Sequence, residues 1–195
     1  MNQKKNTINR RPESRTFDPV RYDRILRNGQ TVILIVFLIL WLGLHDAPDF
    51  SAFMANPVSM IGKLCLFAVA VWLLNALKEI LRCLGFRFFA GAKKEYIQFG
   101  VFWSRGGSVF GKCMAAVDVA GYRWAVILPA LILAWLPCLV SFCSGNLWFY
   151  SVFAILTAGT WGDLCVLWSL RRLPRGSWVQ DSPFAPGCDV YIPEA

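Results

Sequence analysis

Four apolar runs, each nearly free of charge, limit what this chain can fold into more than any other feature. Thr31 to Leu44 reads TVILIVFLILWLGL, fourteen residues without a charge. A bilayer core takes about 20 residues of helix. Ile25 and Leu26 lengthen the run upstream, with Arg24 and Arg27 free to snorkel to the headgroups. A signal peptide has an apolar region of similar length, but here about 30 residues precede it and no small-x-small cleavage site follows. The segment is therefore read as a retained anchor over 25–44. The second run is 58–77, with Lys63 near its start. The third is 124–143, WAVILPALILAWLPCLVSFC, and the fourth is 147–170, LWFYSVFAILTAGTWGDLCVLWSL. The short link between the last two predicts an antiparallel helical hairpin. Pro129 and Pro137 in the third run are tolerated in a membrane helix when neighbouring groups take up the freed carbonyls.

Composition agrees with this reading. Hydrophobic residues make up 56% of the 195 and charged residues 16%, against roughly 25% charged in a soluble domain. A water-soluble monomer would lack the charge to cover its surface, and disorder is excluded for most of the chain. The net charge of +8 is not a nucleic-acid signature, because its distribution is one-sided. Residues 1–30 carry 8 Lys and Arg, residues 78–123 another 8, and residues 171–195 carry 3, with Lys63 the remaining one. The links 44–58 and 143–146 carry none. The positive-inside rule then places both termini, the loop 78–123 and the tail 171–195 in the cytoplasm of a cell with an inner membrane.

The expected fold class is all-α transmembrane: a four-helix membrane bundle over 25–192, with a small cytoplasmic β-hairpin in the central loop. Residues 1–24 form a basic arm, polar and without periodicity, read as disordered near anionic lipid. Each basic residue there is worth about 1 kcal/mol at the surface. No stacking aromatics are interleaved before Phe17, so no nucleic-acid partner is expected. In the loop, Glu95 to Trp103 is β-branched and aromatic, Ser104-Arg105-Gly106-Gly107 turns the chain, and Ser108 to Val119 returns. A helix over Gly111 to Ala120 is the competing reading. Cys188 to Ile192 reads as a short edge strand. The chain has seven cysteines and no C-x-x-C pair; Cys65, Cys138, Cys143 and Cys165 fall in or at the end of spans, and Cys83, Cys113 and Cys188 would be reduced. All read as small apolar packing residues.

Charges inside such segments are costly, about 2.5 to 3.5 kcal/mol on insertion scales, and so call for partners. Asp163, in TWGDLCVLW, is read as buried with a partner, the alternative being a hydrated place near the interface. Asn75, Lys78, Glu79 and Arg82 fall at i, i+3, i+4 and i+7, one stripe of a helix. That stripe either faces a bundle interior or marks the interfacial end of the second span.

Lys78-Glu79-Ile80-Leu81-Arg82-Cys83-Leu84-Gly85-Phe86 resembles the H-E-x-x-H-x-x-G-F stretch of bacterial putative zincin peptidases. These are multi-pass membrane proteins long catalogued as a domain of unknown function, distantly similar to site-two-type intramembrane metalloproteases. Phe99-Gly100, Leu128-Pro129 and Gly162-Asp163 follow in the family's order, and Arg172-Leu173-Pro174-Arg175 with Gln180-Asp181 is similar to its tail. The resemblance covers about residues 72–192. It implies a zinc ion held by two His one turn apart and a Glu that activates metal-bound water. In this chain those His positions are Lys78 and Arg82. Glu79 and Asp163 match the general base and third ligand. The single His, His45, is assigned to the opposite side of the membrane, and Cys83 points off the stripe.

Two neutral His and Zn²⁺ carry +2, and so do Lys78 and Arg82. A cationic pair in the metal's place would keep Glu79 and Asp163 neutralised, which predicts contact between Asp163 and Lys78 or Arg82. Neither a cofactor nor a metal is then expected; zinc, on Glu79 and Asp163, belongs to the alternative of an active metallopeptidase with an unconventional site. The favoured reading is a catalytically inactive membrane scaffold or regulator whose partners are the bilayer and another membrane protein. A small channel, carrier or partner subunit is the third reading. No P-loop, dinucleotide turn or nucleophile elbow supports other chemistry.

Overall fold

The computed structural model describes residues 10–16, 18–45, 57–103, 107–182 and 187–193. In chain order the elements are β1 (Arg10–Thr16), α1 (Pro19–Leu44), α2 (Pro57–Phe88), β2 (Ile97–Phe102), β3 (Ser108–Cys113), β4 (Val117–Asp118) and α3 (Val119–Ala130). A π-helical segment (Leu131–Trp135) leads into α4 (Leu136–Cys143), and α5 (Leu147–Gly159), α6 (Trp161–Leu170), β5 (Trp178–Asp181) and β6 (Gly187–Pro193) follow.

Pro begins both α1 and α2, at the position where its missing N–H is not needed. Asp118 caps α3 through the amides of Ala120 and Gly121, and Asn146 caps α5 through those of Trp148 and Phe149. The π segment sits between Pro129 and Pro137, so the third apolar run stays helical while the backbone slips around the missing donors. The fourth run breaks once, at Thr160, whose hydroxyl donates to the Thr157 carbonyl at 2.7 Å and accepts from Trp135 Nε1 at 3.2 Å.

Four helical stretches are long and apolar enough to cross a membrane: Arg21–Leu44, Val58–Phe88, Val119–Cys143 and Leu147–Leu170. Each of the first three is longer than expected. Helix α2 runs eleven residues past Leu77 to Phe88, so residues 78–88 are not loop. The third begins at Val119, five residues before Trp124. Only 6% of the apolar window of α1 and 0% of that of α2 is buried within the chain, against 33% for the other two.

The expected hairpin is present, with Ile97 opposite Cys113 and Phe102 opposite Ser108. Gly111 to Cys113 is strand, which removes the helical alternative; the expected second strand to Val119 instead ends at Cys113, and Val117–Asp118 pairs with Trp178–Asp181 in the other sheet just before α3 starts. Of the expected turn, 104–106 lies outside the described residues; Gly107 has φ 74°, which a Gly adopts without strain.

A four-stranded antiparallel sheet in the order β1-β6-β5-β4 was not expected, so the fold is mostly helical with two small sheets rather than all-α. Residues 10–16 form its edge strand and residues 19–24 begin α1, where a disordered arm over 1–24 is expected; of that arm, residues 1–9 and 17 lie outside the described residues. An edge strand held by main-chain bonds needs no apolar alternation, and Pro12 is tolerated at an edge. Strand β6 is interior, flanked by β1 and β5, where an edge strand was read. The best-packed core lies between this sheet and the adjoining helix ends: Phe86, Val117, Tyr122, Leu170, Val179 and Val190 are all buried there. Full burial of one such aliphatic side chain contributes about 1.5 to 3 kcal/mol.

Candidate functional site: a closed charge cluster

Half-way along its second half, α2 carries Lys78, Glu79 and Arg82 on one stripe, and the first turn of α6 brings Asp163 opposite them. Lys78 Nζ lies 3.2 Å from Glu79 Oε1 and 3.6 Å from Asp163 Oδ2. Arg82 Nη1 lies 3.1 Å from Glu79 Oε2, and its Nη2 pairs with Asp163 Oδ1. Each cation therefore touches both carboxylates, and the four side chains close into a ring with no net charge. Lys78 and Glu79 are about 5% and 4% exposed, so this ring is interior. The N-terminal turn of α6 adds its positive dipole end beside Asp163.

The hairpin completes the surroundings of Glu79. Gly111 donates its amide to Glu79 Oε2 at 3.1 Å. A Cβ on Gly111 would stand 2.7 Å from Cys83 Sγ and 3.0 Å from the Glu79 carbonyl oxygen, so only Gly lets β3 approach α2 this closely. Cys113, two residues on, points its amide the same way and donates to Asp181 Oδ2 at 2.7 Å. Tyr122 Oη donates to Asp181 Oδ1 at 2.6 Å. Two carboxylates thus terminate the edge of β3 that β2 leaves open. Burial pushes the Asp181 carboxyl above its usual range, opposed by the bonds from Tyr122 and Cys113 and by the positive Arg82 and Lys112. The Cys113 thiol is pushed up to about 11 by burial, so it stays protonated and inert.

On the other flank, α1 covers α6. Tyr22 and Leu26 pack on Gly162, and the ring of Trp161 packs on Gly29, where no side chain would fit.

Of the residues singled out in the sequence, Lys78, Glu79, Arg82 and Asp163 come together; Asn75 does not join the ring. It lines a separate groove with Trp72, Ser108 and Ile155. His45 lies at the far end of α1, where its ring stacks on Trp41 at 4.0 Å and meets Phe142 edge-on at 5.3 Å. Twenty-three residues of helix separate it from Tyr22, about 35 Å. Gly111, Tyr122 and Asp181 were not read as one constellation. The i, i+2 spacing of Gly111 and Cys113 on one strand is the signal that links them, and it becomes legible only once the strand is known.

The fold is that of a helical bundle with four stretches long and apolar enough to cross a membrane, and Lys78, Glu79, Arg82 and Asp163 meet between the second and fourth of them. The chain belongs to the family described as putative zincin peptidase, which matches residues 71–178 and so contains all four members of the ring. No curated protein and no solved structure matches the chain.

The family name implies zinc. Zinc takes lone pairs from neutral imidazole, thiolate or carboxylate. Charged Lys78 and Arg82 have none to give, and their nitrogens stand against the oxygens that a metal would need. Among the described residues no three His, Cys, Asp or Glu side chains converge as a metal site. The side chains present do not fit a zinc ion.

Proposed function

We propose that the chain crosses the cytoplasmic membrane four times, with both ends and the hairpin on the cytoplasmic side, and that its zincin-type site has become a structural charge cluster. The protein then serves as a membrane scaffold or regulator that engages another membrane protein without hydrolysing it.

The state of Glu79 carries this reading. As the general base of a zincin it would need a free oxygen facing a metal-bound water. Here Oε2 accepts from both the Gly111 amide and Arg82, and Oε1 faces Lys78. Lys78 and Arg82 occupy the two positions that resemble the family's histidines, and they supply the +2 that the metal would have brought. The membrane reading rests on the bare apolar faces of α1 and α2 and on the gathering of basic residues at one end of the helices.

Thermal unfolding of the purified protein with and without a strong chelator tests the cluster. A structural or catalytic zinc stabilises the folded state through its binding free energy. The expected result is an unfolding temperature that the chelator leaves unchanged. A chelator-induced drop that added zinc reverses would contradict the reading.

A further inference from the structure

Strand β2 leaves one edge of its backbone open. Gly111 and Cys113 turn their amides away from it, toward Glu79 and Asp181. Directly opposed residues of an antiparallel ladder turn their amides alike. Phe99 and Ile97, which face Gly111 and Cys113, therefore present N–H and C=O on the far side of the hairpin, as does Val101. The sheet has two strands, so among the described residues no strand takes up these groups. Phe99 is 49% exposed, and Trp103, just past the end of β2, is 81% exposed. The depth of this edge follows from its neighbours. Helix α2 runs in step with the fourth apolar stretch: the rings of Phe67 and Trp148 are 6.0 Å apart, and Lys78 and Arg82 meet Asp163. The hairpin lies along α2, with Gly111 bonded to Glu79 and the Gly107 carbonyl to Trp72 Nε1 at 2.9 Å. Phe99, across from Gly111, stands near Glu79, nine residues of helix or about 14 Å in from Phe88. In the proposed topology the hairpin enters from the cytoplasmic side, and the open edge of β2 lies at hydrocarbon depth. A strand edge there finds no water and has to be covered by protein.

We propose that β2 of a second copy covers this edge, antiparallel to the first about a two-fold axis at Gly100. Acyl chains carry no donors, and a passing helix keeps its backbone bonds to itself. The groups need an extended strand, and every copy brings one to the same depth. An antiparallel copy presents the same donors and acceptors in reverse order, so the edge is complementary to itself. The register about Gly100 sets Phe99 against Val101 of the second copy and Ile97 against its Trp103. Aromatic residues opposite β-branched ones are favoured cross-strand pairs. At the axis the ring of Phe110 lies over Gly100, 2.8 Å from where a Cβ would stand. This inference rests on the bilayer reading above but not on the loss of catalysis, and it names the membrane protein engaged as the chain itself.

The test places the photoreactive residue p-benzoylphenylalanine at Phe99 of the full chain in bacterial membranes, and separately at the exposed Leu38 of α1 as a reference. After illumination, the expected product at Phe99 is a covalent dimer whose adduct maps to residues 97–103 of the second copy. Val101→Pro removes an outward N–H and spares the bonds to β3, as a proline on an edge strand does. It should cut the dimer about tenfold and leave the unfolding temperature of the monomer unchanged. If that temperature falls, Trp103→Ala tests the same contact through an exposed side chain alone, again with about a tenfold loss expected. A dimer yield that neither variant lowers, or an adduct outside 97–103, would overturn the strand pairing. Lipid adducts alone at both Phe99 and Leu38 would overturn it too, while keeping the bilayer reading. An adduct with a different membrane protein in place of the dimer would overturn the second copy as occupant. No lipid adduct at Leu38 would refute the bilayer reading together with the pairing.

Discussion

Glu79 and Asp163 are two carboxylates in an interior where an unpaired charge is held only at a cost of several kcal/mol. Lys78 and Arg82 each meet both of them, so removing any one member strands the others. Asp163→Ala is expected to destabilise the fold by about 3–5 kcal/mol, the usual result of breaking a buried pair from one side. Pairing Lys78→Met with Asp163→Asn restores neutrality and should recover much of that loss; chemical denaturation of the single and double variants in detergent measures the coupling. Simple additivity would contradict the ring. Asp181 behaves differently with pH. Its folded carboxyl is raised above the ordinary 3.8, so the folded state holds the proton more tightly than the unfolded chain. Its contribution is therefore complete below that value and is lost as pH rises through the folded pKa. Lowering the pH from neutral toward 4 should stabilise the natural protein relative to Asp181→Asn. An unfolding-temperature difference that stays flat or moves the other way would contradict it. The ring was legible in the sequence because i, i+3, i+4 and i+7 spacing puts like functions on one helix face. The clasp of Asp181 on Cys113 and Tyr122 was not, because its members lie 59 and 68 residues apart.

Helix boundaries show where charge misleads. In the sequence the apolar run stops at Leu77, and Lys78, Glu79 and Arg82 fit an interfacial end as well as a bundle interior. Their mutual neutralisation lets α2 continue to Phe88 and carry the cluster inward. Strand β1 was invisible for a related reason: an edge strand added by backbone hydrogen bonds leaves no apolar period to read. Helix α1 lies wholly before residues 71–178, yet it closes the flank of the cluster through Gly29 and Gly162. A Leu at Gly29 would collide with Trp161, whose Nε1 is 2.0 Å from the position of a Cβ. Gly29→Leu should therefore lift α1 off α6 and cost about 1–3 kcal/mol, typical of overpacking. Faster quenching of Trp161 fluorescence, in a variant where it is the reporter, would register the separation; unchanged quenching and stability would argue that α1 does not seal this flank.

Taken whole, the molecule is polar at one end and bare along its length. The two sheets, the closed core around Phe86 and Leu170, and the starts or ends of α1, α2, α3 and α6 share one end, while the α4–α5 turn and His45 lie at the other. Arg123, at the first of these ends, donates to the Leu170 carbonyl, and Arg171 stacks over Trp168 at 3.5 Å. In the proposed topology this is the cytoplasmic end. Alkaline phosphatase inserted in the turn 144–146 should be active in cells and inactive when fused after Ala195. The opposite pattern would invert the topology.

The replacement of a metal by two cations is tested most directly by the zinc content of the purified natural chain beside that of the double variant Lys78→His with Arg82→His. Two imidazoles one turn apart on α2, with Asp163 in reach, rebuild the ligand types that zinc takes. The prediction is under about a tenth of an equivalent in the natural protein and close to one in the double variant, falling again when Asp163→Ala is added. Stoichiometric zinc in the natural protein, lost on Glu79→Gln, would contradict it.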